Sequence, residues 1–202
     1  YDNPFVQIGR NNGSYGRLVV SGEYVGSGIY ASTLRIAQTG PVGDYVATGG
    51  IGPYGPRLAV GQGGQGVAEV SNRGAILLEG AAAHLSVASG RRDGGVPDTT
   101  TDVRSLTISG GSTVTVDSQS YGGTQDFTDP LGGTIPANLG SRVTVGSDTD
   151  ANGVLTVDGP GSTLIVTSSS VLPDDYGTGQ IRVGLNTGTG TLDVSNGGAV
   201  FA

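Results

Sequence analysis

The chain has 202 residues, 39 of them glycine, with 35% hydrophobic and 5% aromatic residues and a formal net charge of −7. Cysteine is absent, which excludes a disulfide framework and a thiolate metal site, and the negative charge argues against nucleic acid and anionic lipid surfaces. No Gly-X-Y triplet repeats, so collagen is excluded; a charged fraction of only 13%, with the apolar residues ordered in alternating pairs, argues against a solvated tail.

The first predicted strand is Val6-Gln7-Ile8-Gly9, followed after an Asn-Gly turn by Leu18-Val19-Val20-Ser21. The same two motifs return as Leu58-Ala59-Val60-Gly61 and Ala68-Glu69-Val70-Ser71, now with a third apolar strand over 76–78. In the next unit His84-Leu85-Ser86-Val87 stands for the first strand without its glycine, and an insertion over 91–101 precedes Leu106-Thr107-Ile108-Ser109 and a third strand over 114–116. Val143-Thr144-Val145-Gly146, Leu155-Thr156-Val157-Asp158 and 164–166 form the fourth unit. Ile181-Arg182-Val183-Gly184, Leu192-Asp193-Val194-Ser195 and Val200 form the fifth. The variable length lies mainly between the third strand of one unit and the first of the next: long over 26–56 and 117–141, moderate over 167–180, and nearly absent over 79–83.

Three short strands of period two per unit, each bounded by turn residues, predict an all-β parallel β-helix (β-solenoid) of about five turns with long loop insertions. Inward residues such as Leu106 and Ile108 should stack on Leu155 and Val157 about 4.8 Å away. Serine and then glycine after the second strand suit a tight corner with positive φ. No window carries a capped 3.6-residue periodicity, so helices are not expected. A β-sandwich is the structural alternative, but it leaves the recurrence of one corner chemistry unexplained.

The run from Val183-Gly184 to Leu192-Asp193-Val194-Ser195-Asn196-Gly197-Gly198 resembles the repeats of type V-secreted (autotransporter) passenger domains and PEP-CTERM-associated bacterial surface proteins. The likeness covers the chain apart from its long insertions. It implies an exported bacterial β-helix of structural or adhesive character. The absence of cysteine fits passage through an oxidising periplasm, and the absence of methionine and of a leader is read as an excised or mature piece, residues 1–202 forming one solenoid segment of a longer repetitive chain. The expected partners are neighbouring solenoid repeats or further copies of the chain, and surface carbohydrate or protein; no membrane span and no nucleic acid are expected.

Sites with chemistry are few. His84 is the only histidine, and no nucleophile-elbow motif accompanies it, so it reads as a strand residue and not a triad member. Gly61-Gln62-Gly63-Gly64-Gln65-Gly66 spells a dinucleotide fingerprint, but a strand and not a helix follows, so a turn is expected. Asp148, Asp150, Asn152 and then Gly153 match the first half of a calcium loop, with Asp158 as the only late carboxylate; calcium is the one cofactor the sequence raises, against a plain Asx-rich turn. A carbohydrate-cleaving enzyme would need clustered carboxylates, whereas the outward positions of the second strands read Val19, Glu69, Thr107, Thr156 and Asp193, and Asp126, Asp129, Asp174 and Asp175 fall in insertions. No catalytic residue is assigned, and an enzyme is not expected. Threonines are too few and too interrupted for an ice-binding array. Tyr30, Tyr45, Tyr54, Tyr121 and Tyr176 lie outside the core strands and are the candidate contact surface for a sugar or protein. The function expected is an extracellular or cell-surface solenoid presenting a rigid acidic surface, with a carbohydrate-active enzyme or a calcium-tuned binding module as alternatives.

Overall fold

The structure, a computed structural model, describes residues 4–10, 13–25, 28–37, 55–80, 83–89, 104–118, 127–128, 134–135, 140–147, 151–168 and 179–202. Every regular element among them is a β-strand. The first turn holds β1 (Phe5–Ile8), β2 (Tyr15–Ser21), β3 (Glu23–Val25), β4 (Gly28–Tyr30) and β5 (Thr33–Ala37). The second is β6 (Arg57–Gln62), β7 (Gln65–Ser71) and β8 (Ala75–Glu79); the third is β9 (His84–Ser89), β10 (Arg104–Ser109) and β11 (Thr113–Ser118). After β12 (Phe127–Thr128) and β13 (Thr134–Ile135) come β14 (Arg142–Ser147), β15 (Asn152–Asp158) and β16 (Thr163–Ser168), and the fifth turn is β17 (Gln180–Leu185), β18 (Thr189–Ser195) and β19 (Ala199–Phe201).

Fifteen of these strands form three parallel five-stranded sheets. They are sheet A (β1-β6-β9-β14-β17), sheet B (β2-β7-β10-β15-β18) and sheet C (β5-β8-β11-β16-β19), so each turn adds one strand to each wall of a parallel β-helix. Register follows the motif: Leu106 pairs with Ala68 on one side and Leu155 on the other, and Leu155 with Leu192. Period-two alternation then sends Leu58 and Val60, Leu85 and Val87, and Val143 and Val145 inward from sheet A to meet Leu106, Ile108, Leu155, Val157, Leu164 and Val166 from the other walls, all essentially without exposure. Each such side chain contributes roughly 1.5–3 kcal/mol by leaving water.

One expectation needs correction. In the sequence, 26–56 reads as the connection that follows the first turn's third strand, yet that third strand, β5, lies inside it and supplies Leu34 and Ile36 to the core, opposite Ile76 and Leu78 of β8. The first turn therefore has its third strand. What obscures it is the antiparallel hairpin of β3 and β4, inserted at a corner that in later turns takes only a few residues.

Glycine at the end of each sheet A motif is required by geometry at Gly146. Its φ is +66°, and a Cβ there would lie 1.9 Å from the carbonyl oxygen of Thr189. The third turn, which lacks that glycine, keeps the conformation with an alanine: Ala88 has φ +57°. Its methyl fits because the neighbouring turn offers Gly153, where an added Cβ would come within 2.9 Å of it. The corner from sheet B to sheet C also uses positive φ, at Asn72 and Arg73, Gly110 and Gly111, Gly159, and Asn196 and Gly197.

Candidate functional site

Only part of the sequence-derived site set falls on the described residues. Asp148, Asp150, Tyr45, Tyr54, Tyr121 and Tyr176 lie outside them, as do Asp126, Asp129, Asp174 and Asp175. Tyr30 ends β4 in the small hairpin. Asn152 and Asp158 are the two ends of one extended strand. Six residues of strand place them about 20 Å apart, far beyond the ~2.4 Å ligand distances of one calcium ion. They do not share a loop. Asp158 instead ties the fourth turn's corner to the fifth. Its Oδ1 accepts hydrogen bonds from Ser195 Oγ at 2.9 Å and from Asn196 Nδ2 at 2.7 Å. These bonds, from Asn196 first and then Ser195, hold its carboxyl below the ordinary range. Among the described residues no three His, Asp or Glu side chains gather closely enough to hold a metal ion. The run Gly61 to Gly66 ends β6 and opens β7, with Gly63 and Gly64 as the turn between them, as the strand after it required.

The described chemistry concentrates on the outer wall of sheet A. Its strands read FVQI, RLAVGQ, HLSVAS, RVTVGS and QIRVGL, with no carboxylate in any of them. Register stacks Arg57, His84 and Arg142 directly, and Thr144 on Arg182 two residues along. His84 Nε2 lies 3.1 Å from Thr144 Oγ1, and Arg57 sits over the Phe5 ring at 5.6 Å. Burial first, and then the charges of Arg57, Arg142 and Arg182, push the His84 imidazole down to about 3, so it is neutral at pH 7. Burial, then Arg182, also lowers Arg142. Ser86 and Thr144 point outward from the barrel yet are only 1% and 4% exposed, and among the described residues neither Ser86 Oγ nor Arg142 Nε has a hydrogen-bond partner.

Sheets B and C differ. Arg17 of β2 forks onto both oxygens of Glu69 at 3.0 and 2.9 Å, and Arg35 of β5 pairs with Glu79 at 2.6 Å. Arg104, only 4% exposed, packs its stem against Gly61 at the corner between sheets A and B. The basic ladder of sheet A is not among the sequence-based expectations. Its signal is nevertheless present, since aligning the copies of the first motif puts Arg57, His84 and Arg142 at one position, immediately before Leu58, Leu85 and Val143.

No protein-family model, curated protein or solved structure matches this chain.

Proposed function

We propose that the chain is part of an extracellular or cell-surface β-solenoid whose role is structural or adhesive, a rigid, acidic support of the adhesin, passenger, matrix or filament kind. The observation that carries this reading is the single register shared by three five-stranded parallel walls around one continuous apolar core. Such a stack is stiff, and its neighbour-to-neighbour contacts suit extension along the axis. Both terminal turns favour a further rung as partner, whether of the same polypeptide or of another copy. The inward residues Val6, Ile8 and Leu18 of the first turn are only partly buried, as are Ile181 and Leu192 of the fifth, where Val183 and Val194 are exposed. The absence of cysteine is consistent with export.

The carbohydrate-active alternative is less well supported. Of the acids in sheet B's strands, Asp158 is held by Ser195 and Asn196 at the corner, while Glu69 and Asp193 are three rungs apart, with Thr107 and Thr156 between them. At about 4.8 Å per rung that is some 14 Å, beyond the ~5–9.5 Å of a glycosidase pair. Electron microscopy of the chain at moderate concentration, with and without a calcium chelator, tests the proposal. Rods or fibres one solenoid wide, unchanged by chelation, support a structural element. Compact particles would overturn the rod, and calcium-dependent assembly or melting would favour the calcium-tuned binding module.

A further inference from the structure

We propose that the outer wall of sheet A is an oxyanion-binding site, built from Arg142, Arg182, His84, Ser86 and Thr144. Charge makes the first case. The chain is acidic, at −7 overall, yet the acids in the strands of the other two walls (Glu69, Asp158 and Asp193; Glu79 and Asp117) have no counterpart in any strand of sheet A. Where arginine faces outward on sheets B and C, as at Arg17 and Arg35, a glutamate one rung away meets it. Sheet A places Arg142 and Arg182 on adjacent rungs with no described acid in their own wall.

Hydrogen bonding makes the second case independently. Ser86 Oγ and Arg142 Nε are buried donors without partners among the described residues, and a buried donor left unmade costs about 1–3 kcal/mol. Arg182 donates to Gln180 Oε1 at 2.8 Å, which leaves the rest of its fork for another acceptor. His84 is held on Thr144 and, being neutral, adds a donor or acceptor without adding charge. Arg142, Arg182 and His84 are all partly exposed, so an ion can reach them, while Ser86 is buried beside them on the outward face of β9. Two guanidinium forks and a hydroxyl within two rung spacings, about 10 Å, suit a sulfate, phosphate or carboxylate group bound through charge-assisted, bidentate bonds. The group can come free in solution or as the substituent of an acidic glycan.

The test is calorimetric titration of the intact chain with sodium sulfate and, separately, with a sulfated tetrasaccharide, together with NMR of the His84 ring. Saturable binding of either is expected, with a rise in the His84 pKa because the anion offsets the arginine charges. Binding of the tetrasaccharide alone would identify the glycan substituent as the source; binding of sulfate alone would identify the free ion. Arg142→Gln should weaken binding at least tenfold, and Arg182→Gln, on the more exposed fifth turn, should do the same without threatening the fold. Arg35→Gln, on sheet C, should leave it unchanged. No saturable heat with either probe, or equal loss from Arg35→Gln and Arg182→Gln, overturns the site. The outcome is separable from the solenoid's structural role, since rods seen by microscopy and absent anion binding can be observed together.

Discussion

The fourth and fifth turns carry nearly the same sequence and have different fates. Val143-Thr144-Val145-Gly146 and Ile181-Arg182-Val183-Gly184 are two copies of one motif in direct register, yet Val145 is fully buried while Val183 is 43% exposed. The same holds one wall over, where Val157 has no exposure and its partner Val194 has 45%. Local pattern makes the rung; a neighbour on each side makes the core. A solenoid turn cannot bury its own apolar edge, so stability here is a sum of interfaces, and the terminal turn has one fewer.

The two turns should part most widely at their positive-φ glycines. Gly146→Ala should destabilise the fold by several kcal/mol or prevent it. The new methyl would meet the Thr189 carbonyl at 1.9 Å, and the backbone of the next turn stands there. Gly184→Ala has the same φ, +67°, but its nearest neighbour is the Gly188 oxygen at 3.4 Å. Only the left-handed strain of about 1–2 kcal/mol should appear. Chemical denaturation of the two variants measures the gap, and equal costs would show that the fourth turn is no more constrained than the fifth.

Side-chain truncation comes next. Leu155 is enclosed on both sides, and Leu155→Ala should cost about 2–5 kcal/mol. Leu192, its partner in the fifth turn, only packs against the edge of the core, and Leu192→Ala should cost roughly a third as much by the same transfer argument. Denaturant midpoints at constant slope would read both.

This distinction also marks how far the sequence could be read. The repeated Leu-x-Val-Ser and apolar-x-apolar-Gly motifs were enough to place the strands of sheets A and B in their observed register, because period-two burial and corner glycines are local signals. They also identified His84 as the opening of a glycine-free strand, now explained by Ala88 at φ +57° facing Gly153. Strand β5 escaped because the β3–β4 hairpin separates it from the corner that announces its equivalents. Of the calcium spacing, Asp148 and Asp150 lie outside the described residues, and the structure adds only that Asn152 and Asp158, close in sequence, are held apart by an extended strand. The sheet A arginines were missed because each is ordinary alone and becomes part of a cluster only when register stacks it.

Acid should separate the inner turns from the last. In the third turn His84 lies between Arg57 and Arg142 in register, whereas the fifth turn has Gln180 at that position. A histidine lowered from 6.5 to about 3 leaves the unfolded chain binding more protons between those values, so stability rises with pH across that window and falls on acidification. Protonation of the unfolded chain sets the ceiling of this effect at about 2 kcal/mol between pH 7 and pH 5, and solvent screening at a partly exposed ring lowers it. The loss should be global, and His84→Gln should remove it. A wild-type stability curve that is flat from pH 7 to pH 4 would contradict the assignment.

The smallest effect should be local to the last turn. Asp158 holds Ser195 and Asn196 through one carboxylate oxygen, on the outside of the corner where the fourth turn meets the fifth. Because those bonds lower its pKa, their contribution is complete above the ordinary carboxylate value and disappears as pH falls through the folded-state value. That window opens only at the acid end of the one in which His84 acts. It should also leave a different trace: hydrogen exchange, corrected for intrinsic rate, should speed up at the Leu192 and Val194 amides while the Leu106 and Ile108 amides stay protected. Asp158→Ala should produce the same fraying at neutral pH with little change in the global denaturation midpoint, since an exposed attachment of an end rung opens in its own sub-global step. If the midpoint falls as far as it does for Leu155→Ala, the fifth turn is not an edge that frays alone but part of the same cooperative unit as the core.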